Sequence, residues 1–64
     1  MITLVDINGT KWYFEARSSN ITAEELINAY KMRANTNVSY LLNENLIILT
    51  ETDIVYNEGT YLIL

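Results

Sequence analysis

Two carboxylates in the C-terminal third of the chain, Glu51 and Asp53, have the type and spacing that could do chemistry. If the segment is extended, side chains two positions apart share a face, where paired carboxylates can act as acid and base or bind a hard cation. The simpler interpretation is a pair of solvated loop acids. A magnesium or calcium site, or a carboxylate-based enzyme, would require the two groups to converge in space.

The sequence offers little else to a catalytic site. It contains no histidine and no cysteine, which removes thiolate chemistry, disulfides and the usual zinc sets. It also has no glycine-rich phosphate loop and no serine elbow. We therefore predict that the protein is not an enzyme and that it holds no cofactor and no metal.

The charged residues are unevenly distributed along the chain. Four basic residues stand against eight acidic ones, for a net charge of −4, and no base follows Arg33. Nucleic acids and anionic membranes are bound through basic faces, so neither is expected as a direct partner. The acidic C-terminal third either keeps a small protein solvated or improves its encounter with a basic partner protein.

Length and composition predict one domain over residues 1–64. A chain of this size buries only about 60% of its unfolded surface. Half of its residues are apolar, so either the core is dense or apolar surface remains for a partner or a second copy. Met1 runs directly into an apolar strand-like segment without a basic leader, and no apolar run could span a bilayer, which predicts a cytoplasmic protein.

The first sixteen residues have the pattern of a β-hairpin. Asn8 and Gly9 lie between two strand-like runs and suit a two-residue type I′ turn, a register that sets Asp6 opposite Lys11 and Val5 opposite Trp12. The alternation then predicts a core face of Val5, Ile7, Trp12, Phe14 and Ala16. The opposite, open face would carry Ile2, Leu4, Tyr13 and Glu15.

A helix follows, with a complete start signal. Thr22 as N-cap and Glu25 three positions on form a capping box, and Asn35 suits the left-handed closing position. The residues between them place one apolar stripe on a helical wheel, namely Ala23, Leu26, Ile27, Tyr30 and Ala34. Met32 points the other way, toward solvent.

The remaining sequence is typical of strands. We predict strands over residues 38–42 and 46–50 around a tight turn at 43–45, an irregular connection over 51–59 anchored by Ile54 and Val55, and a final strand over 60–64. The element order is ββαβββ. This predicts an α+β fold of two layers, with the amphipathic helix packed on one face of the sheet.

This element order, with Asp53-Ile54 and then Asn57-Glu58-Gly59-Thr60 before the alternating Tyr61-Leu62-Ile63-Leu64, resembles the ubiquitin-like β-grasp fold. The resemblance implies that Leu62 and Leu64 face the core and that Tyr61 and Ile63 lie on the open sheet face. Ubiquitin and the sulfur-carrier members end in Gly-Gly, whereas no glycine follows Gly59 here, so conjugation and sulfur transfer are not expected.

The hairpin register and the resemblance together predict an exposed apolar sheet face as the partner-binding site. Its residues would be Ile2, Leu4, Tyr13, Tyr61 and Ile63. The leading hypothesis is a protein-binding module that acts as an adaptor, regulator or inhibitor, in its narrowest form a phage or mobile-element inhibitor of a nucleic-acid-handling enzyme. The alternative is a structural homodimer that pairs through the same face or through the edge at residues 46–50.

Overall fold

Short strands and one helix make up the part of the chain that the computed structural model describes, which is residues 1–16, 18, 21–37 and 40–64. Within these residues the elements are β1 Ile2–Val5, β2 Lys11–Phe14, β3 Ile21–Thr22, α1 Ala23–Ala34, β4 Leu41–Leu42, β5 Ile54–Val55 and β6 Thr60–Ile63. The predicted α+β class is confirmed.

The main sheet has four strands in the order β2-β1-β6-β4. β1 pairs antiparallel with β2 and parallel with β6, and β6 pairs antiparallel with β4. The first and last strands of the chain therefore lie side by side at the centre. β3 and β5 form a separate two-stranded antiparallel sheet beside the start of the helix.

The Asp6 side chain organises the loop between β1 and β2. Asp6 Oδ1 accepts hydrogen bonds from the backbone amides of Asn8 and Thr10, both at 2.9 Å. The Asp6 amide donates to the Thr10 carbonyl, the Gly9 amide donates to the Asp6 carbonyl, and Gly9 has φ 81°. This is a three-residue loop closed by a glycine bulge rather than the predicted two-residue type I′ turn.

The different loop shifts the hairpin register by one residue. Leu4, not Val5, is opposite Trp12, and Ile2 is opposite Phe14. Because side chains alternate along a strand, this shift exchanges the two faces of β1. The predicted placement of Val5 and Ile7 in the core is therefore wrong, since Ile2 and Leu4 are fully buried and Ile7 is 77% exposed.

A second loop repeats the geometry of the first. Asn43 Oδ1 accepts from the amides of Asn45 and Ile47, the Asn43 amide donates to the Ile47 carbonyl, and the Leu46 amide donates to the Asn43 carbonyl. The predicted turn at 43–45 is thus confirmed. The position that corresponds to Gly9 is held by Leu46, which adopts φ 63° despite its side chain.

The predicted strand over residues 46–50 is wrong. Only Ile48 pairs with β4, through an isolated bridge to Leu42. The left-handed residue Leu46 turns the chain as it leaves the loop, and the Thr50 amide already belongs to the next turn, where it donates to Asp53 Oδ2. Of the strand predicted over 38–42, residues 38 and 39 lie outside the described part of the chain, and Leu41 and Leu42 form β4.

The helix begins and ends as its capping residues predict. Thr22 Oγ1 accepts from the Glu25 amide at 3.3 Å, and Asn35 closes the helix with φ 53° and ψ 46°. The two preceding amides, of Ala23 and Glu24, donate to the carbonyls of Asp53 and Glu51. At 12 residues α1 is too short to cross a bilayer, and the described residues contain no other helix that could do so.

The core lies between α1 and one face of the main sheet. Its buried members are Ile2, Leu4, Phe14, Ala23, Leu26, Tyr30, Leu41, Val55, Tyr61 and Ile63. The rings of Trp12 and Tyr30 meet edge to face, with centroids 5.4 Å apart. Arg33 lies over the Phe14 ring at 4.8 Å and donates to the Tyr13 carbonyl at 2.6 Å, so the end of the helix is tied to the outer edge of β2.

Because the two loops have the same geometry, introducing a glycine in one and removing the glycine of the other should change the free energy of unfolding in opposite directions. Leu46→Gly should raise the free energy of unfolding by about 0.5–1 kcal/mol, because the relief of left-handed strain exceeds the added unfolded-state entropy. Gly9→Ala should lower it by about 1 kcal/mol, since a Cβ there meets no atom within 4 Å and only the φ angle is penalised. Urea unfolding of both variants measures these changes, and a destabilised Leu46→Gly variant would contradict the prediction.

Because of the hydrogen bonds to Asp6, the stability of the protein should depend on pH in the acid range. The Trp12 indole first, and then the amides of Thr10 and Asn8, hold the pKa of Asp6 below its ordinary value. The stabilising effect of the ionised carboxylate is therefore present above about pH 4, the unfolded-state pKa, and is lost as the pH falls through the lower folded-state pKa. The Trp12 indole N–H resonance should follow this titration with a midpoint below about 3.9.

Asp6→Asn is the control for that titration. The variant has no carboxylate at this position, so the acid-dependent shift of the Trp12 indole resonance should disappear, and its urea midpoint should fall less than that of the wild type on acidification. A wild-type midpoint at or above the ordinary aspartate value would show that these hydrogen bonds do not favour the charged form.

Candidate protein-interaction face

The exposed sheet face predicted from the sequence does not exist in the expected form. Ile2, Leu4, Tyr61 and Ile63 are all core residues, and only Tyr13, at 50% exposure, lies on the surface. The one-residue shift in β1 accounts for the first two. β6 then follows β1, because Tyr61 pairs with Leu4 in the parallel ladder and must share its face.

The same shift corrects the implied orientation of the last strand. Leu62 and Leu64 were expected in the core, but Leu62 is half-buried and Leu64 is 55% exposed. Tyr61 takes the inner position, where its hydroxyl accepts a hydrogen bond from the Tyr56 amide at 2.8 Å. The predicted alternation of the final strand is confirmed, but the prediction assigned the wrong set of alternate residues to the core.

The sheet surface opposite α1 carries its own row of apolar side chains. Val5 pairs with Leu62, Leu62 with Leu42, and Leu42 with Ile48. These four positions come from four neighbouring segments and lie at one level across the sheet. At the usual strand spacing the row is about 14 Å long.

A second level adjoins this row. Tyr40 and Leu64 exchange backbone hydrogen bonds, each amide donating to the carbonyl of the other residue. They lie two residues from Leu42 and Leu62 along their chains, so their side chains point to the same side of the sheet. We call the six residues Val5, Tyr40, Leu42, Ile48, Leu62 and Leu64 the outer face.

The outer face is open to solvent and has a polar border. Tyr40, Ile48 and Leu64 are each more than half exposed, and the other three are half-buried. Lys11 lies opposite Val5 at the β2 edge, and the next level on the other side consists of Thr60, Thr3 and the exposed Tyr13. A contiguous exposed apolar patch with a polar rim is typical of a protein-interaction surface.

The two carboxylates that the sequence suggested for chemistry, those of Glu51 and Asp53, lie on the surface next to a turn. Glu51 and Asp53 are both exposed, and Asp53 Oδ2 caps the turn that begins at Thr50. Their backbone carbonyls accept the first helical amides, as described above. Among the described residues no three histidine, cysteine or acidic side chains come together in a way that could hold a metal ion.

Sequence reasoning missed the outer face because it assigned the wrong phase to two strands. One signal was available. An aspartate three residues before a glycine is typical of a type I turn with a side-chain cap and a left-handed closing residue, which is the loop observed. That interpretation of Asp6 and Gly9 would have put Leu4 opposite Trp12, as the structure does.

Comparison with models of known protein families and with curated protein sequences gives no match to this chain.

Neighbouring residues in β1 provide a direct test of the two faces. Leu4→Ala should lower the free energy of unfolding by about 2–5 kcal/mol, because Leu4 is fully buried. Val5→Ala should cost about 1 kcal/mol or less, because Val5 is on the outer face and only half-buried. The predicted two-residue turn requires the opposite order, so urea unfolding of the two variants distinguishes the registers.

Proposed function

We propose that this protein is a small, non-enzymatic protein-binding module that docks its outer face on another protein. The observation that carries the proposal is the apolar row from Val5 to Ile48 on the side of the sheet that the helix does not cover. Burying such a row yields about 25 cal/mol for each Å² removed from water, a gain that the isolated chain obtains only in part, since Val5, Leu42 and Leu62 are half-buried and Ile48 is 53% exposed.

We further propose that the fold is a β-grasp. The described elements follow the order βββαβββ rather than the predicted ββαβββ, because the short strands β3 and β5 were not predicted and the predicted strand over 46–50 is absent. The assignment is supported by a sheet with the first and last strands parallel at its centre. The fold by itself does not select a function, since the same architecture can present many different sites. Its relevance here is that the helix packs on one side of the sheet, so that within the described residues it leaves the outer face on the opposite side uncovered.

Charge favours a different protein over a second copy as the occupant of the outer face. Each chain has a net charge of −4, so self-association doubles the charge within one small particle. A basic partner instead reduces the total charge and is attracted at long range. Proteins that handle nucleic acids carry basic surfaces, which makes inhibition of such an enzyme a natural form of the proposed function.

The test compares two exposed apolar residues on opposite layers. Ile48→Lys introduces a charge on the outer face, and Met32→Lys introduces the same charge on the helix, where Met32 is 85% exposed. Each purified form is immobilised and exposed to an extract of the source cells, and its own sedimentation is measured across concentration. Circular dichroism checks that both variants are folded.

The proposal expects a monomer that retains a specific basic protein, with retention lost in Ile48→Lys, kept in Met32→Lys and weakened by salt. If instead the wild type is a dimer that retains no other protein, and Ile48→Lys is a folded monomer, the outer face is a homodimer interface and the proposal is wrong. Retention that is equally strong in both variants would show that the outer face is not the docking surface.

A further inference from the structure

A cleft of about 740 Å³ lies beside the segment that carries Ile48, on the other side from the outer face. It opens between the loop at residues 43–49 and the segment at 52–59, with Tyr61 at its base. Ile47 and Leu49 line it, while Ile48 between them faces outward with Leu42. The segment over 47–49 therefore separates the cleft from the outer face.

Backbone hydrogen bonds hold both walls of the cleft. One wall is the loop that Asn43 closes through its side chain and its amide. The other contains two tight turns, in which the Asp53 amide donates to the Thr50 carbonyl and the Gly59 amide to the Tyr56 carbonyl. The bond from the Tyr56 amide to the Tyr61 hydroxyl joins this wall to the base. A ligand would enter a preformed site and would have little chain to order.

The lining combines apolar surface with negative charge. Ile47 and Tyr56 line the cleft and are 57% and 68% exposed. Glu44 and Asp53 supply carboxylates, and no described basic residue lies in the lining. All four bases of the chain precede residue 34 in the sequence, so none of the segments that build the cleft contains one.

The edge of the sheet beside the cleft has backbone groups directed outward. The Asn43 amide donates to the Ile47 carbonyl and the Leu49 amide to the Leu41 carbonyl, which makes Leu42 and Ile48 a non-hydrogen-bonded pair. In such a pair the N–H and C=O groups point away from the partner strand. The N–H and C=O of Ile48 are therefore directed to the open side of the edge.

We propose that the cleft and this edge bind a short extended segment of another protein in which basic and apolar residues alternate. The segment pairs with the edge through the N–H and C=O of Ile48 alone, because the amides of Leu46 and Thr50 already donate to Asn43 and Asp53, so the contact is a short form of strand addition. Its basic side chains point into the cleft toward Glu44 and Asp53, and an arginine there stacks on Tyr56. Its apolar side chains point to the opposite side and extend the outer face at Ile48.

This inference rests on the proposed function only in taking a protein as the partner. Ile48 belongs to both surfaces, but the two can fail separately, because Glu44 and Tyr56 line only the cleft and Leu62 and Leu64 belong only to the outer face. An alternating segment satisfies both sides of the edge at once, whereas a uniformly basic one leaves Ile48 uncovered and a uniformly apolar one leaves two carboxylates to be desolvated.

The experiment is an NMR titration of the isotope-labelled protein with a capped peptide of alternating arginine and leucine, about seven residues long to match a strand. A peptide of the same length with glutamate in place of arginine is the probe control. Glu44→Gln and Glu51→Gln are the matched protein variants. Both remove one negative charge, but Glu51 lies outside the cleft lining.

We expect the largest amide shifts at Ile48 and Tyr56, no binding of the glutamate peptide, and a dissociation constant raised about three- to fivefold by Glu44→Gln. Glu51→Gln should change it less than about twofold. If Glu44→Gln and Glu51→Gln changed the dissociation constant equally, net charge alone would account for the binding and the proposed site would be wrong. Shifts confined to β1 and β6, or no shifts at all, would also overturn it and would leave the function proposed for the outer face intact.

Discussion

The carboxylate of Asp6 is the constraint on which the rest of this structure depends. One of its oxygens accepts two backbone amides of the first loop, and the other accepts the Trp12 indole N–H at 3.1 Å. These bonds select a three-residue loop, and the loop selects the register of the hairpin. Because β6 pairs in parallel with β1, the choice of face made at Asp6 is passed to the last strand and decides which residues form the core.

Local and non-local features of the fold differ in how far the sequence predicts them. Thr22, Glu25 and Asn35 act on backbone groups within one helical turn, so the bounds of α1 could be read from the sequence alone. The phase of β1 depended on the choice between two turn types that both accept Asn8-Gly9. The phase of β6 depended on its pairing with β1 at the other end of the sequence, and after Thr60 the strand has no polar residue that marks the surface side.

The prediction of an apolar sheet face therefore selected the wrong members. With the phase corrected, Tyr61 and Ile63 pass to the core, while Leu62 and Leu64 pass to the surface. The segment at 46–50 failed as a strand for a different reason. A leucine in the left-handed region is uncommon, and no pattern of apolar residues signals it. The hydrogen bonds that Asn43 accepts from the amides of Asn45, Leu46 and Ile47 determine that geometry against the strand preference of the residues that follow.

Leu46 adopts a costly left-handed conformation, and it lies near both the outer face and the acidic cleft. Its backbone conformation is one that glycine adopts without strain, as the matched position Gly9 does, yet the chain places there a leucine that is 65% exposed. The leucine gains little from burial in the isolated protein, and strained residues of this kind are concentrated at functional sites. Leu46, Ile47 and Ile48 form an exposed apolar run between the outer face and the acidic cleft. A partner that covers this edge, as proposed above, would recover the apolar burial that the free chain forgoes at this strained position.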